Sequence, residues 1–274
     1  MESISSIKDL HKYLELNSNK KITLIPTMGN LHKGHLELIG EAPANTLKIV
    51  SIYVNKLQFN NSDDYDSYPR SVNLDIEKCQ DNNVDMVFMP DDSFLENINE
   101  YKDIHLPEFT NHLCGKTRDS HFLGVYKIVR NLFDMIKPNY ACFGIKDYQQ
   151  LLLIKFIASK YFPNLEIIEV DTVRNKEKIA LSSRLNKLDK KAILKAANIY
   201  ICLTSIKQKI IDGKDFNTIR DEEIQNLESK NIKVEYLEHR TNTTLNPAKH
   251  DISDTSIFIA CFIDNVRLID NIQI

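Results

Sequence analysis

Short apolar runs alternate with helix-like stretches through the first two-thirds of this 274-residue chain, and that alternation constrains the fold most. The runs are Ile22–Ile25, Lys48–Val54, Val84–Met89, Tyr140–Phe143 and Leu165–Val170. Apolar residues at helical spacing fill Ser5–Leu16, Lys33–Ala42, Val72–Asp81, Leu123–Ile136 and Tyr148–Tyr161. Strands alternating with helices argue for βαβ units, and so for an α/β parallel sheet with helices on both faces. Beyond about Arg174 the character changes. Two helices, Asp189–Ile211 and Phe216–Ser229, precede strand-like runs at Ile232–Glu238, Ser256–Ile263 and Val266–Ile269. That order suggests a smaller α+β domain with an antiparallel sheet, giving domains 1–175 and 176–274.

A sheet of this kind binds ligands at the carboxyl ends of its strands. Three polar segments begin where strand runs end, at Pro26, Asn55 and Gly144. The first, Pro26-Thr27-Met28-Gly29-Asn30-Leu31-His32-Lys33-Gly34-His35, is a strand end, a tight turn and a helix start. Backbone N–H groups and the helix dipole favour an anion there, and Gly34 removes a Cβ from its path. His32 and His35, three apart, share a helical face and can reach the same phosphate oxygens. The arrangement suits enzymes that break the bond between the α- and β-phosphates of a nucleotide. Taken alone, the same four-residue pattern also describes two surface histidines near a helix start.

The second segment ends a strand at Asn55 and continues through Gln58 to Tyr68-Pro69-Arg70; its side-chain amides can orient a small polar ligand, or simply form a turn. The third joins His121-Phe122-Leu123-Gly124-Val125 to Phe143-Gly144-Ile145-Lys146-Asp147-Tyr148-Gln149-Gln150. Lys146 can meet a phosphate as a point charge, Asp147 can cap a helix or accept a ribose hydroxyl, and Gln150 lies one turn beyond Lys146. The fourth, Leu181-Ser182-Ser183-Arg184, offers two hydroxyls and a guanidinium to a polyphosphate, or a plain helix cap.

Composition excludes several classes. A formal net charge of −3, with no basic block, disfavours nucleic acid as a partner. No apolar run approaches the ~20 residues of a membrane span. The opening Met1-Glu2-Ser3-Ile4 begins no charged-then-apolar leader, so the expectation is a cytoplasmic chain. Cys79, Cys114, Cys142, Cys202 and Cys261 form no C-x-x-C pair and read as reduced thiols, with Cys142 in a core.

In order and spacing, the four segments resemble the pantoate–β-alanine ligase family, whose pattern runs approximately P-T-M-G-x-L-H-x-G-H, V-S-I-x-V-N-P-x-Q-F with Y-P-R, H-F-R-G-V, F-G-x-K-D-x-Q-Q and A-x-S-S-R. The match runs from about Leu24 to Arg184 and extends weakly to Arg267–Asn271. The resemblance implies a Rossmann-like nucleotidyltransferase domain, a C-terminal lid domain and a homodimer. It implies joining of pantoate to β-alanine with ATP and Mg2+, through a pantoyl-adenylate, with release of AMP and diphosphate. Carried over, Met28, Gly29, Asn30, Leu31, His32, Lys33, Gly34 and His35 hold ATP together with Gly144, Ile145, Lys146, Asp147, Val173, Leu181, Ser182, Ser183 and Arg184. His35, His32 and Lys146 are the catalytic candidates, with His35 in the proton donor's position; Gln58, Gln150 and Asn55 would bind substrate, and Asp75 magnesium.

Four positions depart from the pattern. Lys56 replaces a proline, which is expected to loosen its turn; Leu123 replaces arginine, Ile145 glutamate, and Leu185 asparagine. The rival readings are another H-x-G-H nucleotidyltransferase, which keeps the nucleotide on its product, and a nucleotide-binding regulator without turnover.

Overall fold

The alternation of strands and helices reappears in the computed structural model, which describes residues 1–91, 94–102, 104–249 and 252–274. The chain divides into two units. The first comprises Met1–Pro107, Arg118–Ile145 and Gln150–Asp171; the second comprises Glu108–Thr117, Lys146–Gln149 and Thr172–Ile274.

The first unit is built on six strands: β1 (Glu2–Ile4), β2 (Ile22–Thr27), β3 (Leu47–Ile52), β4 (Met86–Phe88), β5 (Tyr140–Gly144) and β6 (Glu166–Val170). They lie in the order β1-β4-β3-β2-β5-β6, and every pairing is parallel. Between them run α1 (Ile7–Leu16), α2 (Lys33–Gly40), the short α3 (Ser62–Asp66), α4 (Val72–Asp81), the four-residue α5 (Phe94–Asn97), α6 (His121–Ile136) and α7 (Tyr148–Tyr161). The first two residues of α7 count with the second unit.

Burial explains the strand sequences. A parallel strand covered on both faces reads as a continuous apolar run rather than an alternating one. In β2, Ile22 to Ile25 are all buried, and all three residues of β4 are buried. Edge strands β1 and β6 are partly exposed. One face of the sheet packs Ile25, Val50, Val87, Cys142 and Val170 against Leu38 and Ile39 of α2 and Cys79 of α4. Fully burying one such aliphatic side chain contributes about 1.5–3 kcal/mol. Cys142 is completely buried there, and burial pushes its thiol up to about 12.

Strand order reverses between β2 and β5, which is where an open α/β sheet carries its ligand crevice. The two strands pair only at Thr23–Tyr140 and Leu24–Ala141, so the sheet parts toward their carboxyl ends. Pro26 lies beyond the last β5 pairing, where its missing N–H takes no bond from that ladder.

The second unit holds α8 (Lys190–Ile211), α9 (Phe216–Ser229) and the antiparallel strands β7 (Lys233–Thr241), β8 (Thr255–Ile263) and β9 (Val266–Gln273) in sequential order. Asp189 and Asp215 cap the two helices by accepting from Ala192 N and Thr218 N. The helices cover central β8 through Ile199, Leu203, Ile206 and Leu227, against Ile257 and Ile259. The five strands expected in the first unit and the three in the second are all present. Strand β1 and the helices α3 and α5 are additions, and α6 begins two residues before the expected Leu123.

Candidate active site

In the first unit, β2 ends in a turn with two successive left-handed residues, Gly29 (φ 77°) and Asn30 (φ 50°). A Cβ on Gly29 would sit 3.0 Å from Ile52 Cγ2 and 3.2 Å from Asp75 Oδ2, so glycine is required by conformation and by space. Gly29 N donates to Thr27 Oγ1, and that hydroxyl donates to Ser51 O on β3.

The turn delivers His32 to the N-cap of α2. There His32 Nδ1 accepts from Gly34 N at 3.1 Å, while His35 Nδ1 accepts from His32 N at 3.2 Å. The pair thus forms a reciprocal capping box, a task usually performed by Ser or Thr with Glu or Gln. The rings stack with centroids 4.0 Å apart and an interplanar angle of 28°. Because each Nδ1 accepts, each neutral ring carries its proton on Nε2 and acts there as a donor. Two donors on one face at a helix N-terminus are suited to a negatively charged oxygen. Lys33 is exposed, whereas Met28 and Gly34 are half-buried.

At the end of β3 the Lys56–Gln58 turn closes as a single 3-10 turn despite the lysine, because Asn55 Oδ1 accepts from Leu57 N at 3.0 Å. Asn55 Nδ2 donates to Gln58 Oε1 and to Gly124 O, each at 3.1 Å. All the side-chain polar groups of Asn55 are thereby engaged within the protein. Gln58 Nε2 donates to Met28 Sδ at 3.1 Å, which ties this turn to the β2 end. The Gln58 carbonyl accepts from His121 Nδ1 at 3.0 Å and from Arg118 Nη2 at 3.1 Å. Arg118 Nη1 also lies 3.2 Å from His121 Nε2, and a guanidinium can only donate, so His121 holds its proton on Nδ1.

Gly124 allows α6 to reach this turn, since a Cβ there would lie 2.4 Å from the Leu57 carbonyl and 2.6 Å from Gln58 N. Arg70 donates to the carbonyls of Tyr65, Asp66 and Tyr68, so the Tyr-Pro-Arg triplet fastens its own loop. Gly144 and Ile145, at the end of β5, and Gln150, early in α7, are half-buried in this unit.

Asp75 on α4 is 1 % exposed. Its Oδ2 accepts from Asn30 N at 2.8 Å, and its Oδ1 accepts from Leu31 N at 2.7 Å and from Ser71 Oγ at 3.1 Å. Among the described residues, no group of three or more His, Cys, Asp and Glu side chains is placed to hold a metal ion.

In the second unit, Lys146 Nζ lies 3.6 Å from Asp147 Oδ2, and the Lys146 carbonyl accepts from Asn271 Nδ2 at 2.9 Å. Arg174 grips Asp270 through both terminal nitrogens, at 2.6 and 2.8 Å. The C-terminal Arg267–Asn271 segment therefore organises the backbone around Lys146. Val173 and Leu181 meet across a small hairpin, with Leu181 N donating to Val173 O at 3.0 Å. Ser182 then caps the Ser183–Lys187 turn by accepting from Arg184 N, and Leu185 is buried in the core of this unit.

Gln149, beside the expected Gln150, is a structural residue: it donates to the carbonyls of Phe109 and His112 and accepts from Cys114 N. The sequence pattern includes His121 and Gly124 but gives them no role, and it does not single out Arg118, Ser71 or Lys78. Glycine scarcity is the available signal for Gly124.

The family model described as pantoate-beta-alanine ligase matches residues 1–273. The chain is 36% identical to the pantothenate synthetase of Neisseria meningitidis serogroup C over 277 residues, covering 100% of this chain and 99% of that protein. It is 35% identical to the Pseudomonas fluorescens pantothenate synthetase, covering 100% and 98%. Among solved structures, the pantothenate synthetase of Thermus thermophilus superposes with a TM-score of 0.91 at 30% identity, covering 100% and 99%. The Francisella tularensis pantoate-beta-alanine ligase, solved with β-γ ATP and β-alanine, gives 0.83 at 35% identity, covering 100% and 97%.

Proposed function

The chain belongs to the pantoate–β-alanine ligase family, and from that premise we propose the reaction and the residues that carry it. The enzyme condenses pantoate with β-alanine using ATP. The relative solved with β-γ ATP and β-alanine supports two of the three substrates. The observation that carries the reading is the stacked His32–His35 capping box at the carboxyl end of β2, beside the point where strand order reverses.

In the first step a pantoate carboxylate oxygen attacks the α-phosphorus, and the bond to the β-phosphate oxygen breaks to release diphosphate. The carboxylate is already ionised near neutral pH, so positioning and charge neutralisation are the work to be done. The Nε2–H groups of His32 and His35 donate to the triphosphate, and Lys146, Ser182, Ser183 and Arg184 are assigned to the same nucleotide on the resemblance. Gln58 holds pantoate, with Gln150, and Asn55 acts on pantoate by fixing the Gln58 amide. In the second step the neutral amine of β-alanine attacks the acyl carbon, AMP departs, and the nitrogen loses a proton.

Magnesium enters as part of the nucleotide substrate. Phosphate oxygens and waters would hold it with few protein carboxylates, and it would help neutralise charge on the departing diphosphate. The lid role of residues 176–274 and a homodimer are likewise proposed from the resemblance, the division at residues 175/176 from the change in element pattern, and a cytoplasmic setting from the unpaired cysteines and the opening residues. No helix among the described residues is long and apolar enough to cross a membrane.

The test is AMP formation by the purified protein with ATP, magnesium, pantoate and β-alanine, omitting each in turn. AMP that requires both pantoate and β-alanine supports the ligase; a nucleotide retained on the product points to the rival transferases. ATP binding without turnover points to a regulator.

A further inference from the structure

Asp75 matches a position near the family's magnesium-binding acidic residues, yet protein donors surround it. The left-handed pair Gly29–Asn30 turns two consecutive N–H groups, those of Asn30 and Leu31, toward one carboxylate. Such a concavity of successive N–H groups is an anion site, and here the anion is the protein's own. The same helix face supplies Lys78, whose Nζ donates to Leu31 O at 2.6 Å, and the single Ser71 hydroxyl proton goes to Asp75 Oδ1 at 3.1 Å, with Asn30 Oδ1 3.4 Å away. Helix α4 therefore holds the donors and the carbonyl of the turn that leads into His32.

We propose that Asp75 is a positioning residue that clamps the Gly29–Leu31 turn, and through it the His32–His35 pair, and is not a magnesium ligand. The proposal rests on the reading of the α2 start as the nucleotide site. It has a second consequence: the N–H groups of Asn30 and Leu31 are committed to Asp75, and those of Gly34 and His35 to His32 Nδ1 and His32 O, so the phosphates are met chiefly by the histidine rings. Lys78 works with Asp75 from one turn further along the helix, and a lysine cannot ligate magnesium. That difference separates the two roles.

The test compares Asp75→Asn and Lys78→Met in the full chain, with Ser71→Ala as a milder variant. Asparagine keeps the shape but sets an N–H against a backbone N–H. The first readout is pantoate-dependent pyrophosphate exchange at graded free magnesium. We expect Asp75→Asn to lower kcat/KM for ATP about 100-fold and Lys78→Met to act in the same direction. In both, half-maximal rate comes at the wild-type free magnesium concentration. The second readout is the amide resonances of Asn30 and Leu31 in nucleotide-free protein. They should lie downfield, move upfield in Asp75→Asn, and stay unchanged when magnesium is added to the wild type.

The proposal is overturned if Asp75→Asn raises the magnesium requirement about tenfold or more and excess magnesium restores the rate. It is equally overturned if magnesium alone shifts those amides in the wild type. Should Asp75→Asn fail to fold, Lys78→Met and Ser71→Ala decide: weakened use of ATP at an ordinary magnesium requirement supports the clamp, and unchanged use of ATP overturns it. A wild type without exchange would sink the ligase reading instead, while the amide resonances still judge the clamp.

Discussion

Gly124 shows how one atom can decide whether a helix and a turn may meet. The Cβ of an alanine would meet backbone atoms 2.4–2.6 Å away, and backbone cannot rotate aside as a side chain can. Gly124→Ala is expected to cost about 3 kcal/mol of stability as α6 is pushed off the turn. Displacement of Gln58 should raise the pantoate KM more than the ATP KM, which steady-state kinetics and a urea melt would check together. His35→Ala separates structure from chemistry at the helix start. Losing the reciprocal cap costs about 1 kcal/mol, whereas losing a donor to the triphosphate lowers the exchange rate about 10²–10³-fold. A rate loss no larger than the stability loss would leave His35 as a cap alone. The histidines, Gly29 and Gly34 were legible because their types are unusual in that pattern. Asp75 was legible as important, but the partners of its carboxylate were not, since nothing in the chain ties residue 75 to residues 30 and 31.

Among the helices, the long ones follow from their own sequences and the short ones do not. Helices α8 and α9 begin at aspartate caps and carry regular apolar spacing, so their limits agree with expectation within a residue. Helices α3 and α5, at five and four residues, are too short to show a helical period. What joins α8 to α9 is also hidden from sequence. Glu223 of α9 accepts from Ser205 Oγ at 2.7 Å and from Lys209 Nζ at 2.9 Å, both on α8. Burial acts to raise its carboxyl, but the bonds to Ser205 and Lys209 outweigh it and hold the group below its ordinary 4.5. Glu223→Ala should therefore lower unfolding free energy by about 2 kcal/mol, chiefly through donors left without an acceptor. With a lowered folded value, the contribution of Glu223 is present above about pH 4.5 and fades as pH falls through that lowered value. A wild-type and variant pair whose melts stay equally far apart at acid pH would contradict this.

For the molecule as a whole, two histidines of the second unit set an acid limit. His239, packed against Phe216 and 2.9 Å from Thr255 Oγ1, is held below 6.5 by burial. His112 is lowered chiefly by burial and then by Arg240. Both are lowered, so the unfolded chain takes up these protons first, and stability falls as pH drops below about 6.5. The melting temperature should decline across that range, and His239→Gln should flatten the decline; an unchanged slope would remove His239 as its source. The sequence by itself determined the βαβ alternation, the second α+β unit and the residue types at the turn between β2 and α2, because periodicity and local backbone chemistry act over a few neighbouring residues. Tertiary structure alone decided that β2 and β5 part toward their carboxyl ends, that Gly124 admits α6 against the Gln58 turn, and that Asp75 faces inward to two backbone N–H groups. Each of these joins residues distant along the chain, and such contacts exist only once packing has chosen which faces meet.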